Sequence, residues 1–310
     1  MLEVVELKKK FKQIVAVDGA NMFLERGETI GLLGPNGAGK STAISMISTL
    51  IAPTSGDVRL NNTSVLKNPQ SLREILGVVP QDIALYPDLT AKENLEFFGS
   101  VHRLKGSQLK KQVEEVLQII GLEEKKKELV KNFSGGMKRR LNIGVALLHE
   151  PEIIIMDEPT VGIDPQSRNY ILQTVKHLNQ EKQMTVLYTS HYMEEVEFIC
   201  DRIYIMDQGR IIASGTKDEI KNILSNEKTL EIKVERLKDD FIYSLKNHPL
   251  INKLSTENQL VTIIVAKEVN LFSELFRLAE ETDTTITSVE VKVPTLEDVF
   301  LHLTGRALRN

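Results

Sequence analysis

Apolar positions along the chain follow two spacings. The runs 28–33, 75–80, 153–156 and 184–190 are apolar almost throughout and have the length of buried strands. Between them the spacing turns helical. Residues 43–50 follow the first run; Leu95, Phe98 and Val101 recur after a Thr90-Ala91-Lys92-Glu93 capping box; Val113, Val116, Leu117 and Ile120 form one stripe within 110–122. Buried strands interleaved with helices predict an α/β domain, and the segment of about 88–133 predicts an all-helical insertion within it.

Both ends of the chain read differently. At the start, 2–7, 14–17 and 19–24 read as short strands, with Lys8-Lys9-Lys10-Phe11-Lys12 as a basic hinge between the first two. From about 226 a second unit begins. Leu230, Ile232 and Val234 alternate with charged residues, as do Val261, Ile263 and Val265 with their neighbours. Leu237, Phe241 and Leu245 form a helical stripe, and Val269, Phe272, Leu275, Phe276 and Ala279 a second one. A last strand is expected over 286–293, then a helix between Thr295 and Gly305. The implied β-α-β-β-α-β order resembles a small α+β, ferredoxin-like unit. The expected division is therefore 1–225 and 226–310.

Composition adds boundaries rather than detail. With 310 residues, 41% hydrophobic and 26% charged, the chain has the make-up of a globular protein of about two domains. A formal net charge of −4 gives no electrostatic case for nucleic-acid binding, and the basic run within 123–131 reads as a solvated face. The single cysteine, Cys200, excludes an internal disulfide and suits a reducing compartment. No apolar run approaches the roughly 20 residues of a membrane span, so work at a membrane requires docking onto another polypeptide.

Chemistry concentrates at the strand exits. Gly34-Pro35-Asn36-Gly37-Ala38-Gly39-Lys40-Ser41 fits the phosphate-loop pattern without a mismatch, between an expected strand and an expected helix. Glycines let backbone N–H groups turn inward on an anion, Lys40 neutralises phosphate charge, and the Ser41 hydroxyl suits Mg²⁺. Gln81, at the exit of 75–80, offers an amide oxygen to Mg²⁺ or to a water. Asp157 and Glu158 end another strand, one placed to hold metal and the other to handle the attacking water. Ser134-Gly135-Gly136 opens a helix and so forms a second phosphate-binding surface. His191 ends the run 184–190. His102, His149, His177, His248 and His302 lack metal-ligand spacing and read as surface or packing residues.

In this order, the phosphate loop, Gln81, Ser134-Gly135-Gly136, Asp157-Glu158, Asp164 and His191 resemble the nucleotide-binding subunit of an ATP-binding cassette (ABC) transporter over residues 1 to about 220. Phe133 and Met137 around the Ser-Gly-Gly core, and the chain's ending, resemble the type-2 drug- and antibiotic-exporting branch. Val161-Gly162-Ile163 departs from the family's usual Ser-Ala-Leu before the aspartate, so intersubunit contacts by those three are not carried over. The resemblance implies a RecA-like core with β and helical subdomains. It implies ATP and Mg²⁺ as ligands, with Phe11 against adenine and Thr42 beside Ser41. It also implies a homodimer, head to tail, in which Ser134, Gly135, Gly136 and Asp164 of one chain complete the site of the other. A separate transmembrane permease is expected to dock near the segment from Gln81 to Leu89 and the helical insertion, placing the chain on the cytoplasmic face of the membrane. The rival readings are a soluble ABC ATPase acting on ribosomes or DNA, and a regulatory module that binds nucleotide without turnover. One phosphate loop and no sustained heptads disfavour the first; Glu158 and His191 disfavour the second.

Overall fold

The structure, a computed structural model, describes residues 1–223, 227–292 and 295–305. The expected boundary at residue 226 and the end of the last expected strand at Val293 lie outside them. The chain divides into two compact units, Met1–Lys217 and Asp218–His302, with residues 303–305 grouped with the first.

The first unit opens with β1 (Leu2–Phe11) and β2 (Ile14–Leu24), an antiparallel pair. The expected basic hinge is corrected here: Lys8, Lys9 and Lys10 lie inside β1, and 14–24 is one strand rather than two. Lysine stems fit a strand when their heads find partners at its surface. Lys8 meets Asp18 at 2.7 Å and the Lys9 ammonium bonds the Ala52 carbonyl. Irregularities between Val4 and Lys10 take up the mismatch in register, with Glu6 at φ 46°.

Next come β3 (Thr29–Leu33), α1 (Lys40–Ile47), β4 (Ser55–Leu60), β5 (Thr63–Ser64), α2 (Gln70–Arg73) and β6 (Leu76–Val79). The helical insertion holds α3 (Ala91–Val101) and α4 (Gly106–Ile119), with two short 3₁₀ turns before α5 (Gly135–Leu147). β7 (Ile153–Met156), α6 (Pro165–Lys182), β8 (Thr185–Thr189), α7 (Met193–Ile199), β9 (Arg202–Asp207) and β10 (Arg210–Thr216) complete the unit.

Two sheets result. β2-β1-β4-β5 is antiparallel; the other has the order β10-β9-β3-β8-β7-β6, parallel except for β10. Every side chain of β3, β7 and β8 is buried, which is why these runs carry no polar alternation. Core residues from both sheets, among them Leu7, Val58, Ile30, Leu32 and Ile155, pack with Ile44 and Ile47 of α1 in one cluster.

The Thr90 capping box forms: the Thr90 hydroxyl accepts from the Glu93 N–H, and the Glu93 carboxylate accepts from the Thr90 N–H. Val113, Val116, Leu117 and Ile120 are buried as one stripe. Val101, expected on the apolar face of α3, is instead 64% exposed, and that helix buries Ala91, Asn94, Leu95 and Gly99. The periodicity failed there because the face that packs is built from a small residue and an amide. A Cβ on Gly99 would sit 2.4 Å from the Leu109 side chain, so the glycine allows α3 to approach α4.

After α8 (Lys217–Asn222), the second unit runs β11 (Glu227–Val234), α9 (Asp239–Lys246), β12 (Ile251–Glu257), β13 (Leu260–Ala266), α10 (Phe272–Glu281) and β14 (Ile286–Lys292), then α11 (Leu296–Thr304). Its sheet is antiparallel in the order β12-β13-β11-β14. Leu230, Ile232, Val234, Val261, Ile263 and Val265 meet Phe241 and Leu245 in its core. Phe272 and Phe276 are corrected outward, at 36% and 51% exposure; α10 buries Leu275, Leu278 and Ala279. Leu275 and Ala279 belong to both stripes, and Leu278 takes the buried place expected of Phe272 and Phe276. β12 is mostly exposed and lacks the alternation that marks its neighbours.

Candidate active site

Four consecutive parallel strands, β3, β8, β7 and β6, deliver their carboxyl ends to one edge of the sheet. In that order they present the phosphate loop, His191, Asp157 with Glu158, and Gln81. Loops at the carboxyl edge of an open parallel sheet are where such folds gather ligand groups.

The phosphate loop follows β3 directly and ends in α1, whose first residue is Lys40. Gly39, at φ 105°, caps the helix; a Cβ there would sit 2.3 Å from the Ala16 carbonyl oxygen. Gly34 is equally constrained, since its Cβ would lie 2.3 Å from the Met206 carbonyl oxygen. Backbone therefore approaches backbone on both sides of the loop. The Lys40 ammonium donates to the carbonyls of Gly34 at 2.8 Å and Pro35 at 3.3 Å, which holds it over the loop. It lies 3.7 Å from Glu158 Oε1. Burial pushes the Lys40 pKa below its ordinary value, against the opposing pull of Glu158 and Asp157.

Glu158 is the junction of the site. Gln81 Nε2 donates to its Oε2 at 3.3 Å, and His191 Nδ1 lies 3.4 Å from the same oxygen. Its backbone is left-handed, φ 47°, a conformation retained by non-glycine residues mainly where surroundings impose it. Thr189 supplies that imposition: its hydroxyl accepts from the Glu158 N–H at 2.8 Å and donates to Asp157 Oδ1 at 2.8 Å.

A cavity of about 220 Å³ is lined by Ala16, Asn36, Gly37, Ala38, Gly39, Lys40, Ser41, Thr42, Gln81 and Glu158. The structure thus brings together the phosphate loop, Gln81, Glu158 and, behind it, His191. Phe11, Ser134, Gly135, Gly136 and Asp164 do not line that cavity. Phe11 is 47% exposed, with the Lys9 ammonium 5.1 Å from its ring centre. Ser134 caps α5 by accepting from the Met137 N–H, and Asp164 caps α6 by accepting from the Ser167 N–H. Those helix-end bonds hold the Asp164 carboxyl below its usual pKa. Gly136 packs where the two caps meet, since a Cβ there would fall 2.0 Å from Ser167 Oγ and 3.1 Å from Asp164 Oδ2.

The oxygen donors Ser41, Asp157 and Gln81 fit a hard cation that takes its remaining ligands from phosphate and water. Among the described residues no group of three His, Cys, Asp or Glu side chains assembles.

Three positions were not singled out from the sequence. Thr189 reads there as one more β-branched strand residue. Glu195 follows His191 in a stretch that carries no pattern of its own, and is 2% exposed. Arg139 sits in a basic triplet within the Ser-Gly-Gly segment, the one local signal available. Its guanidinium donates to the Pro80 carbonyl at 2.8 Å and the Gln81 carbonyl at 2.6 Å, fastening the Gln81 loop to α5.

Comparison with known proteins agrees with this geometry. A family described as ABC transporter matches residues 17–161. The linearmycin resistance ATP-binding protein LnrL of Bacillus subtilis is 47% identical, with all of both chains covered. The daunorubicin resistance ATP-binding protein DrrA3 of Streptomyces coeruleorubidus is 34% identical over 96% of this chain and 94% of its own. Among solved structures, the dimeric ATP-binding cassette MJ0796 in a post-hydrolysis state, bound to ADP and Pi, aligns with a TM-score of 0.64 at 29% identity. That match covers 70% of this chain and 98% of the other. A phosphate loop, a buried glutamate and a histidine on adjacent strand ends, together with full-length relatives of this kind, place the chain in the ABC transporter family as an ATP-binding, ATP-hydrolysing subunit.

Proposed function

We propose that the chain powers export of a drug, antibiotic or lipid-like compound through a separate transmembrane permease, binding Mg·ATP and hydrolysing it. The observation that carries the catalytic part is the convergence of Lys40, Gln81 and His191 on the single carboxylate of Glu158. In this reading Glu158 polarises the water attacking the γ-phosphate, His191 steadies that carboxylate, and Lys40 with the loop N–H groups stabilises phosphate charge. Ser41, Asp157 and Gln81 would hold Mg²⁺, which when bound neutralises charge on the phosphate oxygens. Phe11 would stack on the adenine.

Export is supported by the names of the relatives, linearmycin and daunorubicin resistance proteins and a Nod factor export ATP-binding protein of Paraburkholderia xenovorans at 35% identity. Dimerisation is supported by the dimeric cassettes that the fold matches. Ser134–Gly136 and Asp164 lie outside the cavity of their own chain, as residues that serve a partner's site would. The strand order and directions of the second unit support a ferredoxin-like accessory domain, with a regulatory or dimer-supporting role. Among the described residues no helix is long and apolar enough to cross a membrane; relatives that are ATP-binding proteins of resistance and export systems support work at the cytoplasmic face through the permease.

Docking is assigned to the segment from Gln81 to Leu89. Tyr86 remains 47% exposed although its ring lies 4.9 Å from Phe97 and 5.9 Å from Phe98. With Ile83 of the loop that carries Gln81, and Phe97 of α3, both also exposed, it offers apolar surface beside that loop. Asn94 fixes this loop by accepting from the Tyr86 N–H and donating to the Tyr86 carbonyl. A tagged chain extracted from membranes should retain a polytopic partner, and Tyr86→Glu should lose it while ATPase of the isolated subunit persists. Retention of the partner by Tyr86→Glu, with transport intact, would overturn the docking assignment.

A further inference from the structure

We infer that Glu195 is a positioning residue that locks the loop bearing Glu158 to the loop bearing His191; the inference rests on the hydrolytic reading above. Glu195 stands on α7 and is buried beneath the site rather than in it. One of its oxygens, Oε2, accepts three hydroxyl donors: Thr160 Oγ1 at 2.8 Å, Tyr188 OH at 2.9 Å and Ser190 Oγ at 2.6 Å. Thr160 is two residues past Glu158, and Ser190 is the residue before His191. A single carboxylate oxygen therefore ties both loops, and the strand between them, to one point.

The tie extends to the orientation of the histidine. Ser190 Oγ, held as a donor by Glu195, accepts from the Tyr192 N–H at 2.9 Å and so closes the turn that contains His191. The Tyr192 ring lies 4.4 Å from the His191 ring on one side and under the Arg168 guanidinium, at 4.2 Å, on the other. Arg168 Nε in turn faces Glu195 Oε1 at 3.5 Å; both atoms are buried and neither makes a hydrogen bond. Arg168 lies one turn into α6, the helix that Asp164 caps. The Glu158–His191 distance of 3.4 Å is thus set by a network of hydroxyls, a carboxylate and a guanidinium whose residues do not line the phosphate-loop cavity.

Removing such a tie displaces His191 and Glu158 relative to each other without disturbing the phosphate loop. Misplacement by about 1 Å costs on the order of 100-fold in rate. Glu195→Gln keeps the shape but sets an amide against donors, and should lower kcat by about 10- to 100-fold with ATP affinity within about twofold of the parent. Because a change at a buried carboxylate also bears on stability, Thr160→Val and Ser190→Ala provide a second measure. Each should lower kcat, Thr160→Ser should preserve it, and neither loss should add to that of Glu195→Gln. Unchanged kcat per nucleotide-binding site in all three variants, or fully multiplicative losses, would overturn the inference. An unaltered chain that binds ATP without hydrolysing it would instead overturn the hydrolytic reading.

Discussion

Glu158 sits where conformation, burial and charge oppose one another. A left-handed backbone costs a non-glycine residue about 1–2 kcal/mol, and its carboxylate is largely removed from water yet shared by Lys40, Gln81 and His191. Such a residue is retained for what it does. Glu158→Gln should bind ATP normally, accumulate an ATP-held dimer and lose about 100-fold or more in steady-state turnover, as removal of a general base does. Near-parental turnover would refute the role. Lys40→Ala should fail at the earlier step. In the parent, ATP at about 100 times its Kd should add about 2.7 kcal/mol to unfolding, seen as a rise in Tm; the variant should show none. At this scale the phosphate loop was legible because spacing alone defines its chemistry, and Gln81 and Glu158 because each ends an apolar strand run in a chain that carries that loop. Thr189 and Glu195 were not, because a buried hydroxyl in a strand and a buried carboxylate in an acidic helix look like their ordinary counterparts.

Between elements, the insertion is joined to the sheet by an unusual pair. His102 ends α3 and His149 follows α5; their rings stack at 4.0 Å with 2° between planes. His149 Nε2 bonds the Leu76 carbonyl at 3.1 Å, while the buried Nδ1 has no partner. Burial first, and the neighbouring His102 second, push the His149 pKa from 6.5 down to about 4. Burial also lowers that of His102. The sign follows directly: as pH falls below 6.5 the unfolded chain takes up a proton that the folded chain refuses until about pH 4. Stability should therefore fall across that window and be fully present above it. Urea midpoints measured at several pH values in His149→Phe should show a shallower decline than in the parent; an unchanged slope would refute the assignment. The sequence classed both histidines as packing or surface residues. It could not pair them, because they lie 47 positions apart and meet only when α3 folds against α5.

For the whole molecule, the central question is whether the cavity of one chain is a complete site. Ser134 and Asp164 cap helices that meet at Gly136, away from Lys40, so head-to-tail pairing predicts complementation. Mixing Ser134→Arg subunits with Lys40→Ala subunits should restore activity, since both lesions can fall in the same one of two sites. Activity no higher than that of the separate variants, with heterodimers shown to form, would count against shared sites.

What the sequence determined alone is everything whose information is local. A fixed spacing of glycines, lysine and serine specifies a phosphate loop; apolar runs specify β3, β7 and β8; the Thr90 capping box specifies where α3 begins. The alternation in β11 and β13 specified which face of the second unit is core. Only the tertiary structure decided what depends on strand neighbours. Within this sheet β3 is followed in sequence by β6, β7 and β8 but its spatial neighbours on that side run β8, β7, β6, and that reversal sets the strand ending at His191 beside both β3 and β7. It also decided the conformations that propensity opposes. Lysines run within β1 because Asp18 and the Ala52 carbonyl receive them, Val101 faces outward because Gly99 lets α3 close on α4, and Glu158 turns left-handed because Thr189 bonds its N–H. In each case the deciding partner is distant in sequence or hidden in the packing, so its energy has no local signature.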